Sequence, residues 1–107
     1  MILGPSGQNI FPEEIESKLN VMLYIQESLV ISDNDKLVAL VYPDWDAVDT
    51  EQGTREDNEI WLRKQMEKIR ANVNTRLPAY SRLSEIRLHG DAFEKTPTHK
   101  IKRYRYS

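Results

Sequence analysis

Two apolar, β-branched stretches separated by only three polar residues constrain the fold of this 107-residue chain more than any other feature. The first stretch is "ESLVIS", residues 27–32, and the second is "KLVALVYP", residues 36–43. The "DND" between them, residues 33–35, is a typical turn sequence, and such a turn between two strand-like runs predicts a β-hairpin. Because both runs are rich in apolar residues, we expect one or both strands to be largely buried.

A helix is predicted just before the hairpin, where the sequence reads "FPEEIESKLN". Pro12 suits the first position of a helix, and Glu13 and Glu14 follow where acidic side chains complement the positive end of the helix dipole. Three apolar residues then fall on one face at helical spacing: Ile15, Leu19 and Met22. This spacing indicates a helix with one apolar face.

A second, longer helix is predicted after the hairpin. Five apolar residues recur there at helical spacing, with basic side chains between them: Leu62, Met66, Ile69, Val73 and Leu77. Thr54 and Asp57 resemble a capping pair at the start of this helix, and Pro78 is expected to end it. The polar, turn-rich stretch before it, residues 44–54, is interpreted as a loop.

A third strand is predicted from "SEIRLHG", residues 84–90, because Ile86 and Leu88 alternate with polar neighbours. A loop at residues 91–100 and a short last helix or strand are expected to follow. The order helix, hairpin, long helix, strand and tail predicts one α+β domain over residues 1–107. Its expected core is a small, mainly antiparallel three-stranded sheet with flanking helices.

Composition excludes several classes of protein. The formal net charge is −2, which is not the strongly basic balance of a nucleic-acid-binding protein. No apolar run approaches the roughly 18 residues of a membrane span, and "MILGPSGQN" lacks the features of a secretory signal. The chain has no cysteine, which excludes thiol nucleophiles, thiolate ligands and disulfides. We therefore expect a cytoplasmic protein without a transmembrane segment.

Charge is distributed unevenly along the chain. Residues 44–59 carry seven acidic residues and one arginine, whereas residues 95–105 carry five Lys or Arg, His99 and no acid. An anionic partner should therefore meet the C-terminal end. Charge alone leaves three interpretations of that end. It is a solvated tail, a surface on which Tyr104 and Tyr106 stack against single-stranded nucleic acid, or a loop whose lysine neutralises a phosphate or carboxylate.

Two short motifs receive structural rather than chemical interpretations. "GPSG", residues 4–7, has neither the spacing of a dinucleotide fingerprint nor the Lys-Ser/Thr of a P-loop, so it predicts a tight turn. Asp33, Asp35 and Asp44 have EF-hand-like offsets but lack the glycine and the closing glutamate of that loop. With only two histidines and no cysteine in the chain, no metal site is expected.

Two segments together resemble a known family. "GQNIFPEEIESKLN", residues 7–20, and "FEKTPTHKIKR", residues 93–103, are similar to the two signature segments of the C-terminal domain of acyl-CoA synthetases, which are adenylate-forming ligases. The hairpin and "VNTRLPAYSRLSEIRL", residues 73–88, are similar to the parts of that domain between the two signatures. The resemblance covers nearly the whole chain and looks closest to bacterial long-chain fatty-acid–CoA ligases.

The resemblance implies that these residues form the mobile lid of a larger ligase. In the family, an N-terminal domain that these residues do not include binds ATP, Mg²⁺ and the fatty acid. The lid rotates between acyl-adenylate formation and thioester formation with coenzyme A. Lys100 matches the lysine that reaches the carboxylate and the α-phosphate during adenylation, and Gly7 matches the glycine that borders the channel for the coenzyme A thiol. The resemblance also implies that these residues alone are inactive and bind no cofactor.

The family's loop pattern "PKTxxGK" is not matched at two positions. Glu94 stands in place of the proline, and His99 stands in place of the glycine before the lysine. The resemblance thus predicts the position of Lys100 but not a loop conformation that depends on glycine. Gly4 likewise stands where family members often carry a lysine that is used in the reverse half-reaction.

A second hypothesis, from a different class, is a free-standing interaction module whose basic tail binds nucleic acid or an acidic protein. It predicts binding that weakens steeply with added salt, because each neutralised phosphate releases counterions. The ligase hypothesis instead predicts that the basic segment presents one lysine to another domain, with no nucleic acid as partner. Binding to single-stranded RNA or DNA at low salt discriminates between the two hypotheses.

Overall fold

The structure is a computed structural model that describes residues 2–4, 7–49 and 55–106. The elements of the described chain are β1 (Ile2–Leu3), β2 (Asn9–Ile10), α1 (Pro12–Leu19), β3 (Ile25–Asp33), β4 (Lys36–Pro43), α2 (Trp45–Asp49), α3 (Arg55–Asn74) and β5 (Glu85–Leu88). Two short 3₁₀-helices span Ala79–Ser81 and Arg103–Arg105. The side chains of the capping pair predicted for α3, Thr54 and Asp57, lie outside the described part of the structure.

The predicted hairpin is formed by β3 and β4, which pair antiparallel with Asp33 opposite Lys36. Asn34 and Asp35 form its two-residue loop, and both have positive φ angles, 52° and 63°. Positive φ at both central residues is the geometry of a type I′ turn, whose twist matches that of the flanking strands. The "DND" sequence favours this turn because Asn and Asp tolerate the left-handed region better than other non-glycine residues.

The main sheet has the strand order β3-β4-β5. The fold class is the predicted one: a small α+β domain with a three-stranded sheet whose longest pairing, β3 with β4, is antiparallel. The third strand, β5, pairs with β4 in parallel, with Val38 opposite Glu85. This direction follows from the long connection through α2 and α3, because a parallel neighbour needs a crossover rather than a tight turn. A separate two-stranded sheet joins β1 to β2.

Both faces of the β3–β4 hairpin are covered, because alternate residues of β4 enter different apolar clusters. Leu37, Ala39 and Val41 belong to the main core, which also contains the apolar residues of α1 and α3. Val38 belongs to a second cluster, packed against residues of the C-terminal segment including the buried Phe93. Since side chains alternate between faces along a strand, helices lie on one face of the sheet and the tail lies on the other.

The two predicted helices are present, although each is shorter than its apolar pattern. In α1, Ile15 and Leu19 are buried, while Met22 packs against the same core from beyond the helix end. In α3, the helix ends at Asn74, before the predicted stop at Pro78, although Leu77 is still buried. The last turn closes with short-range bonds, such as the Arg76 N–H donating to the Val73 carbonyl at 2.9 Å. No helix of the described ranges is long and apolar enough to cross a lipid bilayer.

The expectation of a plain loop at residues 44–54 was wrong for its first part, which forms α2. The Asp44 carboxylate accepts a hydrogen bond from the Ala47 N–H at 3.4 Å, and the Val48 N–H donates to the Asp44 carbonyl at 3.1 Å. Asp44 therefore caps the helix. Val48 is fully buried in the main core and Trp45 packs against it, so a cap and apolar packing both hold this helix.

Candidate functional site

Lys100 follows a compact turn near the C-terminus. Lys95 and Ile101 pair as an isolated antiparallel bridge, and the Thr96 N–H donates to the Lys100 carbonyl at 2.8 Å. The His99 N–H donates to the Thr96 carbonyl at 2.9 Å, which closes a four-residue turn with Pro97 at its second position. Proline is favoured at that position because its fixed φ suits the turn. We call residues 96–100 the lysine loop.

His99 occupies a left-handed backbone conformation, with a φ of 64°. A three-residue hairpin loop characteristically ends in one such residue, and glycine is usual there because it has no Cβ to clash. The loop pattern that this segment resembles has glycine at this position, and the chain, with His99 there, adopts a conformation that suits glycine. A non-glycine residue in this region costs about 1–2 kcal/mol, so the lysine loop is held against local strain.

Hydroxyl groups reinforce the lysine loop from within. The Lys100 N–H donates to Thr96 Oγ1 at 3.2 Å, and the Thr96 and Thr98 hydroxyls lie 3.0 Å apart. These bonds give Thr96 three partners inside the loop, since its backbone N–H and carbonyl are also bonded there. The loop is therefore compact, and its exposed lysine side chain extends from a fixed backbone.

Most cations of the basic C-terminal segment are paired within the domain. Lys95 lies 2.5 Å from Glu27, Arg105 lies 2.5 Å from Glu94, and Arg103 contacts Glu16. The Lys100 ammonium, in contrast, has no carboxylate within ion-pair distance in the described part of the chain. The segment is thus not a solvated basic tail; Lys100 and Lys102 are its cations without an ion pair among the described residues, and of these two Lys100 is the exposed one.

Arg103 joins the lysine loop to the body of the domain. Its guanidinium donates to Glu16 Oε1 and to the Val30 carbonyl, the latter at 3.4 Å. The second oxygen of the same carboxylate, Glu16 Oε2, accepts the Val30 N–H at 2.7 Å. One carboxylate and one guanidinium therefore satisfy both backbone groups of Val30. We call Glu16, Val30 and Arg103 the clasp.

The clasp lies at an edge of the main sheet, because β3 is the first strand in the order β3-β4-β5 and pairs with β4 on one side only. Outward backbone groups of an edge strand need partners or protection. Glu16 is buried, and the loss of water raises its pKa from the ordinary value of 4.5, even though the Val30 N–H and Arg103 favour the ionised form. The ionised form of Glu16 in the clasp therefore depends on the hydrogen bonds from Val30 and Arg103.

An aromatic cluster anchors the other side of the C-terminal segment. The Phe93 ring lies 5.1 Å from the Tyr106 ring and 4.7 Å from that of His89. The Tyr106 hydroxyl accepts a hydrogen bond from the Glu94 N–H at 2.7 Å. Tyr106 is therefore engaged inside the domain instead of forming the nucleic-acid stacking surface considered above, and the side chain of Tyr104 lies outside the described part of the structure.

A groove of about 480 Å³ lies beside the lysine loop. His99, Lys100 and Arg103 contribute cationic or ionisable groups to it, and Glu13 and Glu16 of α1 contribute carboxylates. Arg103 is within 3.8 Å of Glu13 as well as in contact with Glu16. Both carboxylates of the groove thus pair with Arg103, and neither pairs with Lys100.

Gly7 lies in a different tight turn, between β1 and β2. The Gly4 N–H donates to the Gln8 carbonyl at 2.8 Å, and the Gly7 N–H donates to the Gly4 carbonyl at 3.0 Å. The tight turn predicted for "GPSG" is thus confirmed by its flanking residues, while Pro5 and Ser6 lie outside the description. Gly7 has a φ of 82°, and a Cβ there would meet no atom within 4 Å. Within this domain it is therefore the backbone angle, not lack of space, that favours glycine.

The two residues singled out by the sequence lie on separate hairpins. Of the residues described, none from β1, β2 or their turn lines the groove beside Lys100. Within the same ranges, no group of three or more His, Asp or Glu side chains is arranged to hold a metal ion. The sequence predicted roles for Lys100 and Gly7, which stay predictions, but it did not indicate the clasp. The only sequence signals for the clasp were two residues: Arg103, which is basic and three positions after Lys100, and Glu16, which is acidic and on the buried face of α1.

The chain matches no family model and no curated protein, but it is similar to solved structures. A fatty acyl CoA synthetase from Mycobacterium tuberculosis is 25% identical, with a TM-score of 0.66 over 99% of this chain and 19% of that one. A benzoate CoA ligase from Burkholderia xenovorans LB400 is 24% identical, with a TM-score of 0.65 over 92% and 18%. An ATP-bound chimera, RpMatB-BxBclM B1, is 20% identical, with a TM-score of 0.69 over 97% and 19%.

These neighbours are AMP-forming acyl- and aryl-CoA ligases of the adenylate-forming superfamily. The α+β fold of the chain is that of the C-terminal domain of AMP-binding enzymes. The chain spans about a fifth of the length of each of these ligases.

Substituting His99 tests the strain in the lysine loop. We expect His99→Gly to keep or raise the free energy of unfolding, by up to about 1 kcal/mol, and His99→Ile to lower it by about 1–2 kcal/mol. Lys102→Ile is a matched control, because Lys102 has an ordinary φ of −77°. Urea denaturation of the four chains measures these differences. Equal effects of isoleucine at positions 99 and 102 would contradict the assignment of strain to His99.

The raised pKa of Glu16 predicts a direction for the dependence of stability on pH. The folded chain binds this proton more tightly than the unfolded chain, so the free energy of unfolding increases as the pH falls through the folded pKa toward 4.5. Glu16→Gln removes this contribution. Urea denaturation of both chains across that range should therefore show wild type gaining stability relative to Glu16→Gln as the pH falls. A gain on raising the pH would mean that the Val30 and Arg103 bonds outweigh burial.

Proposed function

We propose that residues 1–107 form the C-terminal mobile lid domain of a longer AMP-forming acid–CoA ligase. The similarity in fold supports this proposal, because it extends over nearly the whole chain and only about a fifth of each ligase. The observation that carries it is the presentation of Lys100. A compact turn holds the backbone of this lysine, and its ammonium has no carboxylate partner in the described part of the domain.

The chemistry of adenylation accounts for such a lysine. A carboxylate oxygen attacks the α-phosphate of ATP, pyrophosphate leaves, and an acyl-adenylate forms. Two anionic groups approach one another in this step, so a compact cation placed between them stabilises the transition state. In our proposal Lys100 supplies that cation. ATP, the acid and Mg²⁺ are held mainly by an N-terminal adenylation domain of the same chain.

Gly7 has a proposed role in the second half-reaction. The coenzyme A thiol attacks the acyl carbonyl, AMP leaves, and a thioester forms. We assign Gly7 to the border of the channel through which the thiol enters, where a side chain would obstruct the close approach of backbone and ligand. Because Gly7 and Lys100 lie on separate hairpins, rotation of the domain would exchange one for the other at a single reaction centre.

We propose a fatty acid as the acyl substrate. The resemblance of the segments containing Gly7 and Lys100 to long-chain fatty-acid–CoA ligases supports this choice, as does the similarity to a fatty acyl CoA synthetase. The benzoate CoA ligase has nearly the same similarity in fold. The fold of this domain is therefore common to ligases of different acids, and the choice rests on the two sequence segments.

Lys100→Ala in the full-length ligase is the first test of the proposal. We expect acyl-adenylate formation to fall by about 100- to 1000-fold, because a positioned charge of this kind typically contributes that much to the rate. Pyrophosphate release measures this step, and thioester formation from preformed acyl-adenylate measures the other, which should be retained. Lys102→Ala, two residues away, is the matched control. Equal loss of both steps, or loss of neither, would refute the role of Lys100.

Gly7→Leu should have the opposite effect. We expect acyl-adenylate formation to be retained and thioester formation to fall, because the leucine side chain would narrow the thiol channel. Leucine at a φ of 82° also strains the turn, by about 1–2 kcal/mol, so thermal unfolding of the 107-residue chain should be measured alongside. If both half-reactions fall together with stability, the turn rather than the channel is responsible, and the assignment of Gly7 fails.

A further inference from the structure

We infer that Arg103 is a positioning residue for Lys100, and that the clasp is what sets the place of the lysine loop relative to the domain. This inference rests on the proposed function and names a residue that acts through Lys100 rather than on the substrate. Arg103 is only three residues after Lys100, and its guanidinium contacts both α1 and β3 through Glu16 and Val30. The loop is therefore fixed directly behind its functional side chain.

The lysine loop is held in place by the residues on either side of it. The hydrogen bonds that the structure gives residues 96–100 all lie within the loop itself. They fix its shape but not its position. Its position depends on the two stems: Lys95 pairs with Glu27 on β3, and Arg103 pairs with Glu16 on α1. Between them, Ile101 packs against the second apolar cluster, which holds the stem to the sheet but gives the loop no fixed direction. The exposed Lys100 side chain is thus placed by contacts that other residues make.

Burial does not separate the two stems, because Glu27 is about 13% exposed and Glu16 about 10%. The Arg103 stem differs in contacting two elements, α1 through Glu16 and β3 through Val30. The Glu16 side chain is about 10% exposed, so its carboxylate cannot exchange Arg103 for water without rearrangement. Removing one partner of a buried pair leaves an uncompensated charge, which is why such a loss is costly. The Val30 carbonyl would lose its donor in the same change. Any relaxation of the clasp therefore displaces the segment that follows Lys100.

Arg105 offers a matched control on the same short helix. Its pair with Glu94 is 2.5 Å long, but both side chains are about half exposed. Exposed pairs of this kind contribute little to stability, because water and salt screen them. Arg105→Met therefore removes the same charge and the same guanidinium two residues away, without opening a buried site.

The first measurement uses the 107-residue chain and needs no activity. Hydrogen exchange of the Thr96 and Lys102 amides reports on the loop and its stem, because both donate to backbone carbonyls there. We expect Arg103→Met to speed exchange at the Lys102 amide by about tenfold and Arg105→Met to change it little, while the Thr96 amide, which is bonded within the loop, should change little in either variant. Glu16→Gln should act like Arg103→Met, since it removes the other charge of the pair. Unchanged exchange at the Lys102 amide in both clasp variants would overturn the inference, whatever the protein does.

The second measurement uses the full-length ligase. Misplacing a reacting group by about 1 Å can lower a rate by about 100-fold, so we expect Arg103→Met to slow acyl-adenylate formation by tenfold or more. Thioester formation from preformed acyl-adenylate, and the KM for ATP, should change little. Arg103→Lys should restore part of the rate, because lysine can still pair with Glu16 but cannot also reach Val30 in the same geometry.

The outcomes separate this inference from the proposed function. If Lys100→Ala leaves adenylation intact, the proposed function fails, and the exchange measurement still decides whether Arg103 places the loop. If Lys100→Ala abolishes adenylation while Arg103→Met leaves it unchanged, the inference about Arg103 fails and the proposed function stands. Equal loss of both half-reactions in Arg103→Met would show a merely structural clasp and would also overturn the inference.

Discussion

The outward backbone groups of Val30 impose a constraint on which much of this domain depends. β3 is an edge strand of the main sheet, and its N–H and carbonyl at this point lie against α1 rather than against another strand. Polar backbone groups in such a place must find partners. Glu16 and Arg103 supply them, and in doing so they join a helix near the start of the chain to a segment near its end. One of the two stems of the lysine loop is thereby fixed to the domain.

The clasp positions the lysine loop more than it stabilises the fold. Burying a carboxylate is costly, and the raised pKa of Glu16 indicates that burial outweighs its two hydrogen-bond partners. An apolar contact in the same place would stabilise the fold without this cost. It would, however, leave the Val30 groups unsatisfied, and it would fix no direction, because apolar contacts are not directional. A guanidinium with several donors does fix a direction. The second apolar cluster, around Phe93, supplies the burial that the clasp does not.

The sequence predicted the parts of this fold that depend on local pattern. The hairpin, α1, α3 and β5 were found because apolar periodicity reports burial within a single element. The short helix α2 was missed because its signals, a capping Asp44 and one buried Val48, occupy too few residues to form a period. The clasp was missed for a different reason. Glu16 and Arg103 are 87 residues apart, and the local sequence around one does not indicate that it contacts the other. Lys100 and Gly7 were singled out through resemblance, and their roles stay predictions, whereas the left-handed conformation of His99 could be seen only in the structure.

Lys100 and Gly7, the residues assigned to the two half-reactions, lie in turns with similar backbone geometry. Each belongs to a tight turn closed by a short-range backbone hydrogen bond, and each turn contains a residue with positive φ, Gly7 in one and His99 in the other. Hydrogen bonds within such turns hold each turn in its own shape. If Lys100 and Gly7 are needed at the same place at different times, loop motion is therefore a poor means of exchanging them. Rotation of the whole domain achieves the exchange without deforming either turn. A rigid connection from loop to body is then essential, and the contacts of Arg103 provide it.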